Sequence, residues 1–178
     1  MNRTVSGGLM VRPMEYPDVG ALARSEREQG WSGSEEKLQS RWADLQAGKA
    51  VGFVAEYAGG PAGYIFVYPE GLGGPFGGRG IPEIVDFNVL VKYRRRGIGT
   101  ALMDAAEETA AGYGDSVYLA VGLHSGYGSA QRMYVKRGYV PDGSGVWYGE
   151  AVCPAYGPCR NDDDLVLHFL KRLGGARP

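Results

Sequence analysis

With 178 residues, 44% of them hydrophobic, the chain is long enough to bury a real core and is expected to form one domain, residues 1–178. Nineteen Lys and Arg against twenty Asp and Glu leave a net charge of −1, which argues against a general nucleic-acid binder. No apolar run of about 18 residues could span a membrane, and the N-terminal MNRTVSGGLMVRP lacks the apolar core of a signal peptide, so a cytoplasmic protein is expected.

In chain order, residues 8–14 read as a first strand and 16–30 as a helix, with Pro17 or Asp18 near its start and Gly30 past its end. Residues 34–48 form a second helix whose Leu38, Trp42 and Leu45 share a face. Two strands, 50–57 and 62–68, flank a Gly-Gly-Pro turn. PEGLGGPFGGRGIP (69–82) is too rich in glycine for helix or strand and reads as a long, mobile loop, a tolerated insertion. A fourth strand follows at 83–91, and a helix opens near Gly97 with Ile98, Leu102, Ala105, Ala106 and Thr109 on one side. A buried strand at 116–123 precedes a helix at 127–138 that stops at Gly138. Strands at 146–152 and 165–173, separated by the acidic NDDD run (161–164), close the chain. Hairpins mixed with strand–helix–strand units predict an α/β chain of the α+β kind: a mixed sheet of about seven strands with helices on both faces.

The only histidines are His124 and His168, and the two cysteines, Cys153 and Cys159, have no further ligands at zinc spacing. No metal is expected, and both thiols are read as free. The chemistry concentrates in YRRRGIGTAL (93–102). A strand of β-branched residues runs into three arginines and a Gly-x-Gly turn that opens a helix, which aims free backbone N–H groups and positive charge at one point. The guest this suits is a phosphate. There is no Gly-Lys-Ser/Thr for a P-loop, and Leu102 stands where a dinucleotide fingerprint has its third glycine.

Arg94-x-x-Gly97-x-Gly99, after the strand NVLV, resembles the signature of the GCN5-related N-acetyltransferase (GNAT) superfamily. SAQRMYVKRGYV (129–140), with Ala130, Tyr134, Gly138 and Tyr139, is similar to that family's second cofactor segment, and the element order agrees. The resemblance implies that Arg94, Arg95, Arg96, Gly97, Ile98, Gly99 and Thr100 hold the pyrophosphate of acetyl-CoA. It implies too that the fourth strand splays from the fifth and offers backbone groups of Val89, Leu90 and Val91 to the pantetheine arm. Tyr127, Ala130 and Tyr134 would complete the cofactor contacts, although Tyr127 stands where the family usually has Asn.

By the same resemblance the chain is an N-acetyltransferase working by direct attack in a ternary complex, with Tyr134 as the acid on the leaving sulfur and Glu83 as the base. Asp86 is the rival base, on the opposite face unless a bulge intervenes. His124 and a water chain are the others. The backbone N–H of Val89 or Leu90 is the candidate oxyanion donor, provided that it is not paired across the sheet. The acceptor is a primary amine of a small molecule or protein. Glu83, Asp86 and the 161–164 run favour a cationic one, and the 28–34 loop, the third and fourth strands and the 142–164 region wall it in. Trp31, Tyr64, Tyr68, Trp147 and Tyr148 are available to line that space. The alternative reading is an inactive acyl-CoA-binding sensor on the same fold. No membrane or nucleic-acid partner is expected, and the apolar LVLHFLKRL invites a homodimer.

Overall fold

The computed structural model describes residues 3–5, 8–31 and 34–174. They group into two compact units, Met1–Tyr68 with Val85–Thr109, and Pro69–Ile84 with Ala110–Pro178.

The first unit holds β1 (Arg3–Val5), β2 (Leu9–Pro13), α1 (Tyr16–Glu28), α2 (Ser34–Gln46), β3 (Val51–Tyr57), β4 (Gly60–Tyr68), most of β5 (Glu83–Val89) and most of α3 (Ile98–Ala111). Its strands lie in the order β1-β2-β3-β4-β5, with β1 to β4 antiparallel. Pro17 and Asp18 both stand in the first turn of α1, and Asp18 closes it. Its Oδ2 accepts the Glu15 N–H at 2.8 Å, and the same carboxylate takes a two-pronged bond from Arg12 at 2.7 and 2.8 Å. Val19, Leu22 and Ala23 then recur at helical spacing and pack with Leu38 against Val54, Tyr64, Phe66 and Tyr68. Each large side chain so buried contributes roughly 1.5–3 kcal/mol before entropy is charged against it. On the opposite face of β4, a Cβ at Gly63 would lie 3.2 Å from Leu102 of α3, so helices flank this sheet on both sides.

The second unit holds β6 (Ser116–Gly122), α4 (Gly128–Lys136), β7 (Val140–Tyr148), β8 (Ala151–Val152) and β9 (Leu165–Arg172), with the strands in the order β6-β9-β7-β8. The β9 strand is antiparallel to both β6 and β7, whereas the start of β5 pairs with β6 in parallel through Glu83↔Tyr118 and Ile84↔Leu119. The sheet is therefore mixed, as expected.

Nine strands appear among the described residues rather than about seven, the additions being the three-residue β1 and two-residue β8. VWYGEAV is not one strand. It folds back at Gly149 and Glu150, pairing Tyr148 with Ala151. The β7 strand also begins six residues early, at Val140, with a register shift between Pro141 and Val146 that absorbs PDGSG.

The 69–82 segment is not a free insertion. It makes a 3₁₀ turn at Gly74–Phe76, sets Phe76 5.1 Å from the ring of Tyr118, and brings the Gly73 carbonyl 2.9 Å from the Tyr118 hydroxyl, whose single proton it shares with Glu83. Gly74, at φ +65°, lies so close to His168 that a Cβ would strike the imidazole. The glycine serves close approach as well as the turn.

Tyr64, Tyr68, Tyr118 and Tyr134 are all buried, and burial is the leading cause that pushes each phenol up from its ordinary value. Folded pKa values above the unfolded one mean stability that is complete below about pH 10 and lost as pH rises through the folded values. Urea titrations across pH 7–12 should show unfolding free energy flat to about pH 10, then falling by up to about 1.4 kcal/mol per pH unit for each of these tyrosines. A curve still flat at pH 12 contradicts their burial.

Candidate acyl-transfer site

In the first unit β5 ends at Val89, a 3₁₀ turn covers Val91–Tyr93, and the arginine loop leads into α3. Gly97, immediately before the helix, has φ +78°, and nothing lies within 4 Å of where its Cβ would be. It has no side chain with which to cap, so the first amides of α3, those of Ile98, Gly99 and Thr100, face a free end of the helix. Arg94 donates from Nε to the Val89 carbonyl (3.3 Å), and its guanidinium stands 5.7 Å from the ring of Trp31. Arg96 stands 5.4 Å over the ring of Tyr57 and reaches its hydroxyl at 3.4 Å. Arg95, in the left-handed region at φ +64°, is exposed. The loop thus sets three arginines in sequence directly before the positive end of a helix, an arrangement able to attract an anion.

The amides just before the loop divide differently. Leu90 N–H donates to the Ala62 carbonyl on β4 at 2.9 Å, so Leu90 is not a free oxyanion donor and Val89 is left as the candidate. The Val91 N–H is held by Gln29 Oε1 (2.9 Å), a side-chain acceptor that a ligand could displace. Asp86 stands in the left-handed region at φ +50°, and its carboxylate is taken by Arg41 at 2.6 Å and Lys37 at 3.6 Å. Both of its oxygens are thus engaged by cationic side chains. Deeper in this unit, Tyr64 donates its hydroxyl proton to Glu26 Oε1 (2.8 Å) and accepts from Asn88 Nδ2 (2.8 Å).

In the second unit Glu83 is buried, and its Oε2 accepts the Leu72 N–H (2.7 Å) and the Tyr118 hydroxyl (2.9 Å). Tyr134 lies on α4, 6% exposed, with its ring 5.8 Å from that of Tyr139. Burial first, and the neighbouring Tyr127 second, raise its phenol above the ordinary value, which keeps it a proton donor at neutral pH. Half-buried Ala130 precedes it by one turn on the same face.

His124 has both ring nitrogens engaged. Nδ1 accepts the Gly126 N–H at 3.0 Å, so Nε2 carries the proton toward Asp163, also at 3.0 Å. Tyr127 gives its hydroxyl proton to the same Asp163 oxygen (2.8 Å) and packs 4.7 Å from the His124 ring. The NDDD run is thus more than a solvated turn.

A family model described as the acetyltransferase (GNAT) family matches residues 16–139. The chain belongs to that family. No curated protein sequence matches it. Among solved structures, this GNAT chain is similar to the Salmonella typhimurium protein yncA, solved with its cofactor acetyl-CoA, at TM-score 0.67 and 15% identity over 97% of this chain and 98% of that one. It is similar to the ribosomal-protein-S18-alanine N-acetyltransferase of Escherichia coli at TM-score 0.66 and 16% identity, covering 95% and 96% of the two chains. A spermidine N-acetyltransferase SpeG chimera of Vibrio cholerae and hSSAT gives TM-score 0.63 and 15% identity over 93% of this chain and 96% of that one. At these identities the likeness is one of fold.

Within the GNAT chain, the arginine loop and α3 lie together in the first unit, and Glu83, Tyr127, Ala130 and Tyr134 in the second. Tyr64 and Tyr68 are buried, with the Tyr68 hydroxyl given to Asp44 at 2.7 Å. Trp147 packs on His168 at 5.1 Å and donates to Ser144 Oγ (2.7 Å), while Tyr148 is exposed and donates to Asp162 (3.1 Å). Residues 32 and 33 of the 28–34 loop lie outside the described residues. Glu26 and Asn88 drew no attention in the sequence, because a lone Glu on a helix and an Asn in a strand carry no spacing signal. Cys153 and Cys159 are free. Among the described residues no cluster of three or more His, Cys, Asp or Glu could hold a metal, and no helix is long and apolar enough to cross a membrane.

Proposed function

We propose that the chain, acting as one N-acetyltransferase domain, transfers the acetyl group of acetyl-CoA to a primary amine by direct attack in a ternary complex. The observation that carries this is the uncapped start of α3, with Gly97 open above it and Arg94, Arg95 and Arg96 around it. This cradle suits the two phosphates of a pyrophosphate. On this reading Gly97 to Thr100 and the arginines would hold the pyrophosphate of acetyl-CoA, Val89 and Val91 would serve the pantetheine arm, and Tyr127, Ala130 and Tyr134 would be the contacts of the second segment.

In the transfer, the amine nitrogen attacks the thioester carbonyl and forms the C–N bond while the carbonyl oxygen takes the negative charge. The Val89 N–H is the proposed donor to that oxygen. As the C–S bond breaks, Tyr134 gives its proton to the leaving thiolate, and Glu83, directly or through water, takes the proton released from the nitrogen. Asp86 and His124 are the alternatives to Glu83; Arg41 and Lys37 engage the first, and Asp163 and Gly126 the second.

The test is calorimetric titration with acetyl-CoA followed by thiol release against an amine panel. Micromolar binding with turnover supports transfer, binding without turnover makes the chain an acyl-CoA sensor, and no binding removes the reading. Glu83→Gln should lower kcat by about a hundredfold with acetyl-CoA affinity kept. An unchanged kcat passes the base role to water.

A further inference from the structure

Glu26, in the last turns of α1, is 1% exposed, and its two oxygens are treated unequally. Oε1 receives the Tyr64 hydroxyl at 2.8 Å and, more weakly, Asn88 Nδ2 at 3.4 Å. Oε2 has no hydrogen-bond partner among the described residues. No Lys, Arg or His among them forms an ion pair with Glu26, and after burial its charge is the next cause of the rise in the Tyr64 phenol. A buried carboxylate without a cation is costly, and its unpartnered oxygen is the one feature here that a cationic ligand would relieve.

The same network orients Asn88. A carboxylate only accepts, so Tyr64 spends its single proton on Glu26 and its oxygen must accept from Asn88 Nδ2 at 2.8 Å. That leaves the half-buried Asn88 with its amide nitrogen turned toward Tyr64 and its Oδ1 able to accept. Asn88 immediately precedes Val89, the proposed oxyanion donor, so the two backbones are one residue apart.

Resting on the acyl-transfer reading, we propose that Glu26, Tyr64 and Asn88 form the seat of the acceptor: the unpaired charge of Glu26 draws the amine in as a primary ammonium, and Asn88 Oδ1 takes an N–H of the neutral amine left once one proton has passed to solvent. Asn88 contacts the substrate, whereas Tyr64 and Glu26 act through it as positioning residues. Substrates that arrive as cations are preferred, and their capture weakens with salt because the attraction is electrostatic.

The experiment measures thiol release at saturating acetyl-CoA with spermidine, a lysine-containing peptide and an alanine-initiated peptide, for wild type, Asn88→Ala, Tyr64→Phe and Glu26→Gln. Acetyl-CoA affinity is measured by calorimetry on each. Asn88→Ala should raise the amine KM about tenfold, and Tyr64→Phe severalfold because the amide is then free to turn over. Glu26→Gln should raise it too and remove most of its dependence on ionic strength, which a merely structural role leaves alone. In all three, acetyl-CoA affinity should stay within about twofold of wild type. Amine KM values within twofold of wild type in Asn88→Ala and Tyr64→Phe overturn the proposal whatever happens to kcat. The isosteric Tyr64→Phe keeps the test decisive even where Glu26→Gln fails to fold. A wild type that binds acetyl-CoA but acetylates none of the three amines overturns it as well. A wild type that does not bind acetyl-CoA overturns the transfer reading beneath it.

Discussion

Tyr134→Phe is expected to lower kcat by about 10²- to 10³-fold while acetyl-CoA affinity stays within about twofold. The substitution removes one hydroxyl from a buried ring that keeps its packing with Tyr139. Loss of transfer without loss of binding is the signature of a group needed only in the transition state. Thiolate departure needs a proton, and a phenol whose pKa is raised by burial and by Tyr127 remains protonated throughout the neutral and mildly alkaline range. The wild-type kcat should therefore show no alkaline limb from this group below about pH 10. Thiol release across pH 6–10, with calorimetry on the variant, reads both quantities. A variant that retains wild-type kcat removes Tyr134 from the chemistry.

The second large effect is on binding. Gly99→Glu should weaken acetyl-CoA by about 10²- to 10³-fold, since a carboxylate about 4 Å from a phosphate costs a few kcal/mol at the effective dielectric of a protein surface. What makes this variant informative is its expected stability. An acidic residue in the first turn of a helix is favourable by about 0.3–1 kcal/mol, so the thermal midpoint should hold or rise as affinity falls. Calorimetric titration paired with thermal unfolding separates the two. Unchanged affinity would reduce the arginine loop to a charged turn, whereas a fallen midpoint would show that Gly99 serves the fold.

The arginine loop and the helix start after it were legible in the sequence because their parts are adjacent. Arg94 to Gly99 occupy six consecutive positions, and a glycine before an apolar helical pattern announces a helix start without side-chain cap. Tyr134 was legible for a similar reason, since Ala130 and Tyr134 share a helix face by spacing alone. Less legible was β7, where Pro141 to Gly145 look like a loop locally. The pairs Pro141↔Phe169 and Val146↔Leu167 carry the strand across that stretch, with Gly143 and Gly145 at φ +87° and +95°. Tertiary pairing outweighs local propensity there. The 69–82 segment deceived in the same way, for its anchors, Tyr118 and His168, lie far along the chain.

By itself, then, the sequence determined the family and the order of the main elements, because each of these is written in contiguous or helically spaced residues. Only the tertiary structure decided which polar groups are spent and which are free. Arg41 reaches Asp86 across 45 positions, Asp163 engages His124 across 39, and the Ala62 carbonyl claims the Leu90 amide. Tyr64 joins Glu26 to Asn88, which lie 62 positions apart. A hydrogen bond fixes chemistry through a partner's position in space, and position in space follows from how the strands and helices pack, which no local pattern records.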